Sequence, residues 1–142
     1  MRGFAESSQA NDLEGLRLFI EACRADDRIV FAGIFLKADG SHVGNIKLGP
    51  IDPVHKTASI GIIIGEKDQW GKGLATEAIR LMADYAFTRQ GVLKLTAGSI
   101  GSNKGSIKAF LHCGFEIEGV QRSQLAFEED REDKVYLGKV KF

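Results

Sequence analysis

Apolar and polar residues follow two rhythms along this chain, and the changes between them mark its elements. Residues 29–36 and 42–48 are apolar strand runs, joined by Ala38-Asp-Gly-Ser41, which carries hairpin turn chemistry. Gly49-Pro-Ile-Asp-Pro53 forces a loop before a strand over 57–65. Within that strand Ile60, Ile62, Ile63 and Ile64 run too continuously for a strand with one wet face. A helix follows, in which Ala75, Ala78, Ile79, Met82, Tyr85 and Ala86 recur at helical spacing opposite Glu77, Arg80, Asp84 and Arg89. Gly91 stops it. Residues 92–100 read as a strand, and Ser102 or Asn103 caps a short helix burying Ile107, Phe110 and Leu111. Gly114 ends that helix and Phe115 packs back on its last turn. Residues 115–127 and 134–142 form a closing hairpin around the charged tip at 128–133. Near the start, Asn11 or Asp12 caps a helix over 12–25 with the stripe Leu13, Leu16, Phe19, Ile20 and Cys23.

The succession of strand, glycine-bearing loop and helix over residues 59–78 builds an anion site. Gly65 ends the strand, while Gly71 and Gly73 let backbone approach a ligand closely. The helix that follows presents free N–H groups and roughly half a positive charge. Phosphate is the natural guest. Two familiar phosphate loops fail on counting. A Walker loop needs four residues between Gly65 and Gly-Lys, whereas five intervene and Gly73 replaces the Ser or Thr. The dinucleotide pattern fails because Thr76 stands where its third glycine belongs.

Composition narrows the partners. At 142 residues the chain has the size of one domain, spanning 1–142 without repeat or linker. Nineteen basic residues balance nineteen acidic ones with no basic block, which argues against a nucleic-acid partner. The two cysteines form no Cys-x-x-Cys pair and the three histidines are scattered, so no metal site is expected. No apolar leader and no run of eighteen apolar residues occurs, so no membrane association is expected and a reducing cytoplasm fits best.

Trp70-x-x-Gly73-x-Ala75 resembles the (Arg/Gln)-x-x-Gly-x-(Gly/Ala) signature of the GNAT superfamily of acetyl-coenzyme A dependent N-acetyltransferases. Tryptophan in the first position, followed by Gly-Lys-Gly-x-Ala-Thr-Glu-Ala, is similar to the ribosomal-protein (RimJ/RimL type) branch. The segment Asn103-x-x-Ser-Ile-x-x-Phe-x-x-x-Gly-Phe115 matches the second motif of that superfamily at the right distance. Gly44-Asn-Ile-Lys-Leu-Gly-Pro-Ile-Asp52 looks like a stretch of aminosugar-type members, and the resemblance covers about residues 12–142.

The resemblance implies an α/β fold with a mixed, largely antiparallel sheet (an α+β arrangement) splayed around the cosubstrate acetyl-CoA. It implies cofactor contacts at Trp70, Gly71, Lys72, Gly73, Leu74, Ala75, Asn103, Ser106 and Phe110, with Lys104 and Lys108 as further candidates for phosphate charge. The thioester carbonyl would lie beside Ile63 and Ile64, where a backbone N–H not used by the sheet can hold a developing oxyanion. Two departures bear on catalysis. Phe110 stands where the family places a proton-donating tyrosine, leaving Tyr136, Tyr85 or a water as substitutes. Ser59 stands where related members carry Asp or Glu, leaving His55 and Asp52 to relay a proton through water. His112 and Cys113 are no nucleophile pair, because adjacent helical residues point about 100° apart.

The expected activity is acetyl transfer to a primary amine of a small molecule of aminosugar type, or to a peptide N-terminus. The alternative is a module that holds acyl-CoA with little turnover. The resemblance further implies that the usual first strand and helix are lacking, so that the sheet begins near residues 29–36 with an apolar edge. A homodimer is expected to cover that surface.

Overall fold

The computed structural model describes residues 4–6, 16–22, 28–65 and 73–142. Ten elements follow one another: β1 (Phe4–Glu6), β2 (Leu16–Ala22), β3 (Val30–Leu36), β4 (His42–Leu48), β5 (Thr57–Ile64), α1 (Leu74–Arg89), β6 (Lys94–Ile100), α2 (Lys104–His112), β7 (Glu116–Phe127) and β8 (Asp130–Val140). The strands form one mixed sheet in the order β1-β2-β3-β4-β5-β6-β8-β7. Every pairing is antiparallel except β5 with β6, which run parallel because α1 carries the chain back between them.

Alternation along the strands sorts the core. Leu16, Leu18 and Ile20 of β2 share a face with Val30, Ala32 and Ile34 of β3, Ile46 and Leu48 of β4, and Ala58, Ile60 and Ile64 of β5, all buried. Helix α1 lays Ala75, Ala78, Ile79, Met82 and Ala86 into that core. The opposite face is bare of helices among the described residues. It presents Phe19 edge-on to Phe35 at 5.2 Å, with His42 stacked on Phe35 at 4.8 Å.

Four expectations are corrected. Where a helix was expected over 12–25, the described part is strand β2, because Leu16, Leu18 and Ile20 satisfy a two-residue period that pairing with β3 rewards. The flanking positions of that expected helix, including Leu13 and Cys23, lie outside the described residues. The sheet therefore does not begin near residue 29, since β1 and β2 precede β3 in it. The charged tip is tighter than expected: only Glu128 and Glu129 turn, Glu128 at φ 55°, and Asp130 already belongs to β8. In α2 the buried face is Ser106, Ala109 and Phe110, whereas Leu111 is exposed.

The end of α2 keeps its expected form. Gly114, at φ 90°, donates to the Leu111 carbonyl at 3.0 Å, and Phe115 donates to the Phe110 carbonyl at 3.1 Å. These are the two bonds of a Schellman end. The Phe110 and Phe115 rings meet at 5.0 Å, so the local turn and the core contact reinforce each other.

Candidate functional site

Strand β5 pairs differently on its two edges. Toward β4 it is paired from Ile60 to Ile64, but toward β6 only Thr57, Ala58 and Ser59 find partners, in Lys94, Leu95 and Thr96. Beyond Ser59 the two strands part. The ladder with β4 shows which backbone groups face the opening: Gly49 N–H donates to the Ser59 carbonyl and Gly65 N–H to the Val43 carbonyl. Odd-numbered residues of β5 therefore turn their peptide groups toward β4, and even-numbered ones turn toward β6. A Cβ built on Gly44 would strike the Ile63 carbonyl oxygen, in keeping with that parity. Ile62 and Ile64 direct their N–H groups into the opening. Of the expected pair, Ile64 is placed to donate there, while the Ile63 backbone belongs to the ladder and its side chain is 70% exposed. Ile62 was missed because strand composition does not reveal which edge a peptide group faces.

Trp70, Gly71 and Lys72, expected to contact the cofactor, lie outside the described residues. Gly73 caps α1 in the left-handed region, φ 77°, a conformation that costs an L-residue roughly 1–2 kcal/mol. Among the described residues no side chain caps this helix, and its first bond runs from Glu77 N–H to the Gly73 carbonyl at 3.0 Å. The N–H groups of Leu74, Ala75 and Thr76 thus have no partner within the helix and meet the requirement of a diphosphate. The start of α2 differs. There the Asn103 side chain accepts the Ser106 N–H at 3.1 Å, so Asn103 orders its own loop. Phe110 leaves the set of ligand contacts: it is 1% exposed, closed into the core against Phe115. Ser106 is likewise buried, whereas Lys104 and Lys108 are exposed.

On the bare face, at the foot of the opening, lies a pocket of about 400 Å³ whose walls include Arg28, Ile51, Asp52, Ser59 and Thr96. Ser59 Oγ and Thr96 Oγ1 are 3.0 Å apart on the last paired rung. Asp52 Oδ1 accepts the N–H groups of Val54 and His55, and these bonds hold its carboxyl below the usual range. His55 is exposed on the same turn and lies outside the pocket lining. Tyr136, paired with Gly98 two rungs along β6, spends its hydroxyl proton on Gln121 at 2.9 Å. Tyr85 accepts from Gln90 at 2.8 Å. Cys113 is buried and donates to the Thr76 carbonyl at 3.1 Å, and burial raises its pKa, which suits a structural thiol rather than a nucleophile. Thr96 and Arg28 escaped the sequence reading because only the sheet register brings them to Ser59. Among the described residues no group of three or more His, Cys, Asp or Glu side chains could hold a metal.

Known proteins resemble this chain in sequence and fold. The profile of the acetyltransferase (GNAT) domain matches residues 3–116. A probable N-acetyltransferase of Bacillus subtilis, YjcK, is 35% identical over 106 residues, which are 74% of this chain and 58% of that protein. The spermidine N(1)-acetyltransferase of Escherichia coli is 38% identical over 84 residues, 59% of this chain and 45% of its own length. The chain thus spans about half the length of the curated relatives it matches. A spermidine N-acetyltransferase from Vibrio cholerae, solved with CoA and spermine, superposes with a TM-score of 0.73 at 22% identity, covering 80% of this chain and 66% of that one. With a domain profile that covers most of the sequence, and a sheet that parts between β5 and β6, this chain belongs to the GNAT acetyltransferase family.

Proposed function

We propose that the chain transfers an acetyl group from acetyl-CoA to a primary amine. The observation that carries this reading is the seam that parts after Ser59 and Thr96, leaving the Ile62 and Ile64 peptide groups facing the gap. Bound acetyl-CoA would supply an activated thioester. The N–H groups of Leu74, Ala75 and Thr76, unused within the helix, would hold its diphosphate, with Gly71, Lys72 and Trp70 as the further contacts expected there. The Ile62 and Ile64 N–H groups would donate to the oxyanion that develops on the thioester carbonyl. No side-chain acid is needed for the leaving group: a thiol of pKa near 8.5 departs tolerably as thiolate around neutral pH. That accommodates the loss of a proton donor at Phe110.

The acceptor is a small-molecule amine of aminosugar type or a peptide N-terminus. Spermidine, named for the Escherichia coli relative, is the competing acceptor. The ribosomal-protein branch rests on the Trp70 motif. A homodimer completes the proposal, and light scattering at micromolar concentration tests it. A stable monomer with ordinary turnover would count against it. Release of free CoA thiol, followed with a thiol-reactive dye across aminosugars, peptides and polyamines, tests the transferase reading. Acetyl-CoA binding without amine-dependent thiol release would instead support a holding module, a reading favoured by the absence of a carboxylate at Ser59.

A further inference from the structure

The β5–β6 seam ends on two hydroxyls. Ser59 Oγ and Thr96 Oγ1, 3.0 Å apart, both line the pocket at the rung where the strands part. One proton lies between the two oxygens, which leaves the pair one further O–H and spare lone pairs for a third group. A neutral primary amine fits: it donates an N–H to a hydroxyl oxygen and keeps its own lone pair free for attack. An ammonium ion can donate as well but has no lone pair to attack with.

Granting the transferase reading above, we propose that the Ser59–Thr96 hydroxyl pair seats the acceptor nitrogen and that the chain therefore selects amines of low pKa, which reach it already neutral. Among the described residues the charged groups around the pair offer no strong base: the Glu118 carboxylate, which lies over Gly138 opposite Thr96, is engaged by Lys94. Asp52 is the carboxylate of the pocket wall, and its Oδ1 is already engaged by two backbone N–H groups. Arg28 on the same wall is a cation. Lys94, one turn of the pleat below Thr96 on β6, is held by Glu118 at 2.8 Å. Lys47 lies across β4, paired with Gly61, and His55 stands outside the lining. An arriving ammonium must therefore lose its proton to water first. The neutral nitrogen then adds to the thioester carbon, forming the C–N bond, and the C–S bond breaks with its electron pair on sulfur. The proton that nitrogen sheds passes through the hydroxyls and water to solvent or to the thiolate, leaving an amide and a free thiol.

At pH 7.5 an amine of pKa near 8 is about 24% neutral, and one near 10.4 is about 0.1% neutral, a difference of roughly two-hundredfold. The test is kcat/KM against pH for a dipeptide amine, an aminosugar and spermidine, with thiol release as the readout. In the wild type the acid limb should move with the pKa of each amine. Ser59→Ala and Thr96→Val should each raise KM about tenfold with acetyl-CoA affinity unchanged, and Ser59→Thr should restore it. Ser59→Asp should add an acid limb common to all the amines and improve spermidine relative to the dipeptide. An acid limb fixed at one pH for every amine in the wild type would overturn the proposal while leaving the transferase reading intact, as would wild-type KM in both Ser59→Ala and Thr96→Val. Absence of thiol release with every amine would overturn both.

Discussion

The two edges of β5 carry the same isoleucine-rich sequence and do opposite things. The β4 edge is zipped from Ile60 to Ile64, while the β6 edge closes only at Thr57 to Ser59 and then stands open. Successive peptide groups of one strand point to opposite edges, so a single segment supplies a structural ladder with its odd residues and donors facing the gap with its even ones. Neither edge is weaker in composition. The neighbours differ: β4 runs alongside, whereas β6 diverges once α1 has brought it back.

The zipped edge breaks most readily at Gly44, where any Cβ meets the Ile63 carbonyl oxygen. Gly44→Ala should cost about 3 kcal/mol, because the clash is with backbone that must shift. Urea denaturation checks this, and an unchanged midpoint would show that the ladder yields freely. On the open edge, Gly73→Glu places bulk and a negative charge at the start of α1, where Gly73 sits at φ 77°. Acetyl-CoA affinity should fall at least about 100-fold, or about 2.7 kcal/mol, beyond what Gly73→Asn causes, since Asn tolerates the left-handed region. Calorimetry giving equal affinities would place the phosphate site elsewhere.

A smaller effect belongs to the second helix behind the opening. Asn103→Ala removes the bond to Ser106 N–H and should cost about 1 kcal/mol of stability. If acetyl-CoA affinity drops by far more than stability does, Asn103 touches the ligand as well as ordering its loop. Cys113 adds a pH dependence. Its folded pKa lies above the ordinary 9.0 because burial disfavours the thiolate. The unfolded chain therefore loses that proton first, and the contribution, whole below about pH 9, is lost as pH rises through the raised folded value. Between pH 8 and 10 wild type should lose more stability than Cys113→Ala, and parallel declines would remove Cys113 from the account. The smallest change is expected at Ile63, whose exposed side chain shares the bare face: Ile63→Ser should stay within about 0.5 kcal/mol by thermal denaturation. A larger loss would show that something packs against that face in solution.

Local chemistry was legible wherever one short segment contained its own explanation. The helix start at Gly73, the Asn103 cap and the Gly114–Phe115 end each depend on residues a few positions apart, and each stands as the sequence indicates. The stretch around Leu16 to Ala22 was misread because Leu16, Phe19 and Ile20 fit a helical stripe while Leu16, Leu18 and Ile20 fit a strand. Seven residues are too few to separate those periods, and pairing with β3 decided the matter.

The sequence by itself determined the elements from β3 onward, the glycine start of α1 and the family, because turns, caps and motifs act over a few covalently adjacent residues. Only the tertiary structure decided where β5 and β6 part, that Ile62 rather than Ile63 accompanies Ile64 in facing the gap, and that Ser59 meets a hydroxyl thirty-seven residues away. Those facts depend on register and divergence between strands remote in sequence, which no local propensity encodes.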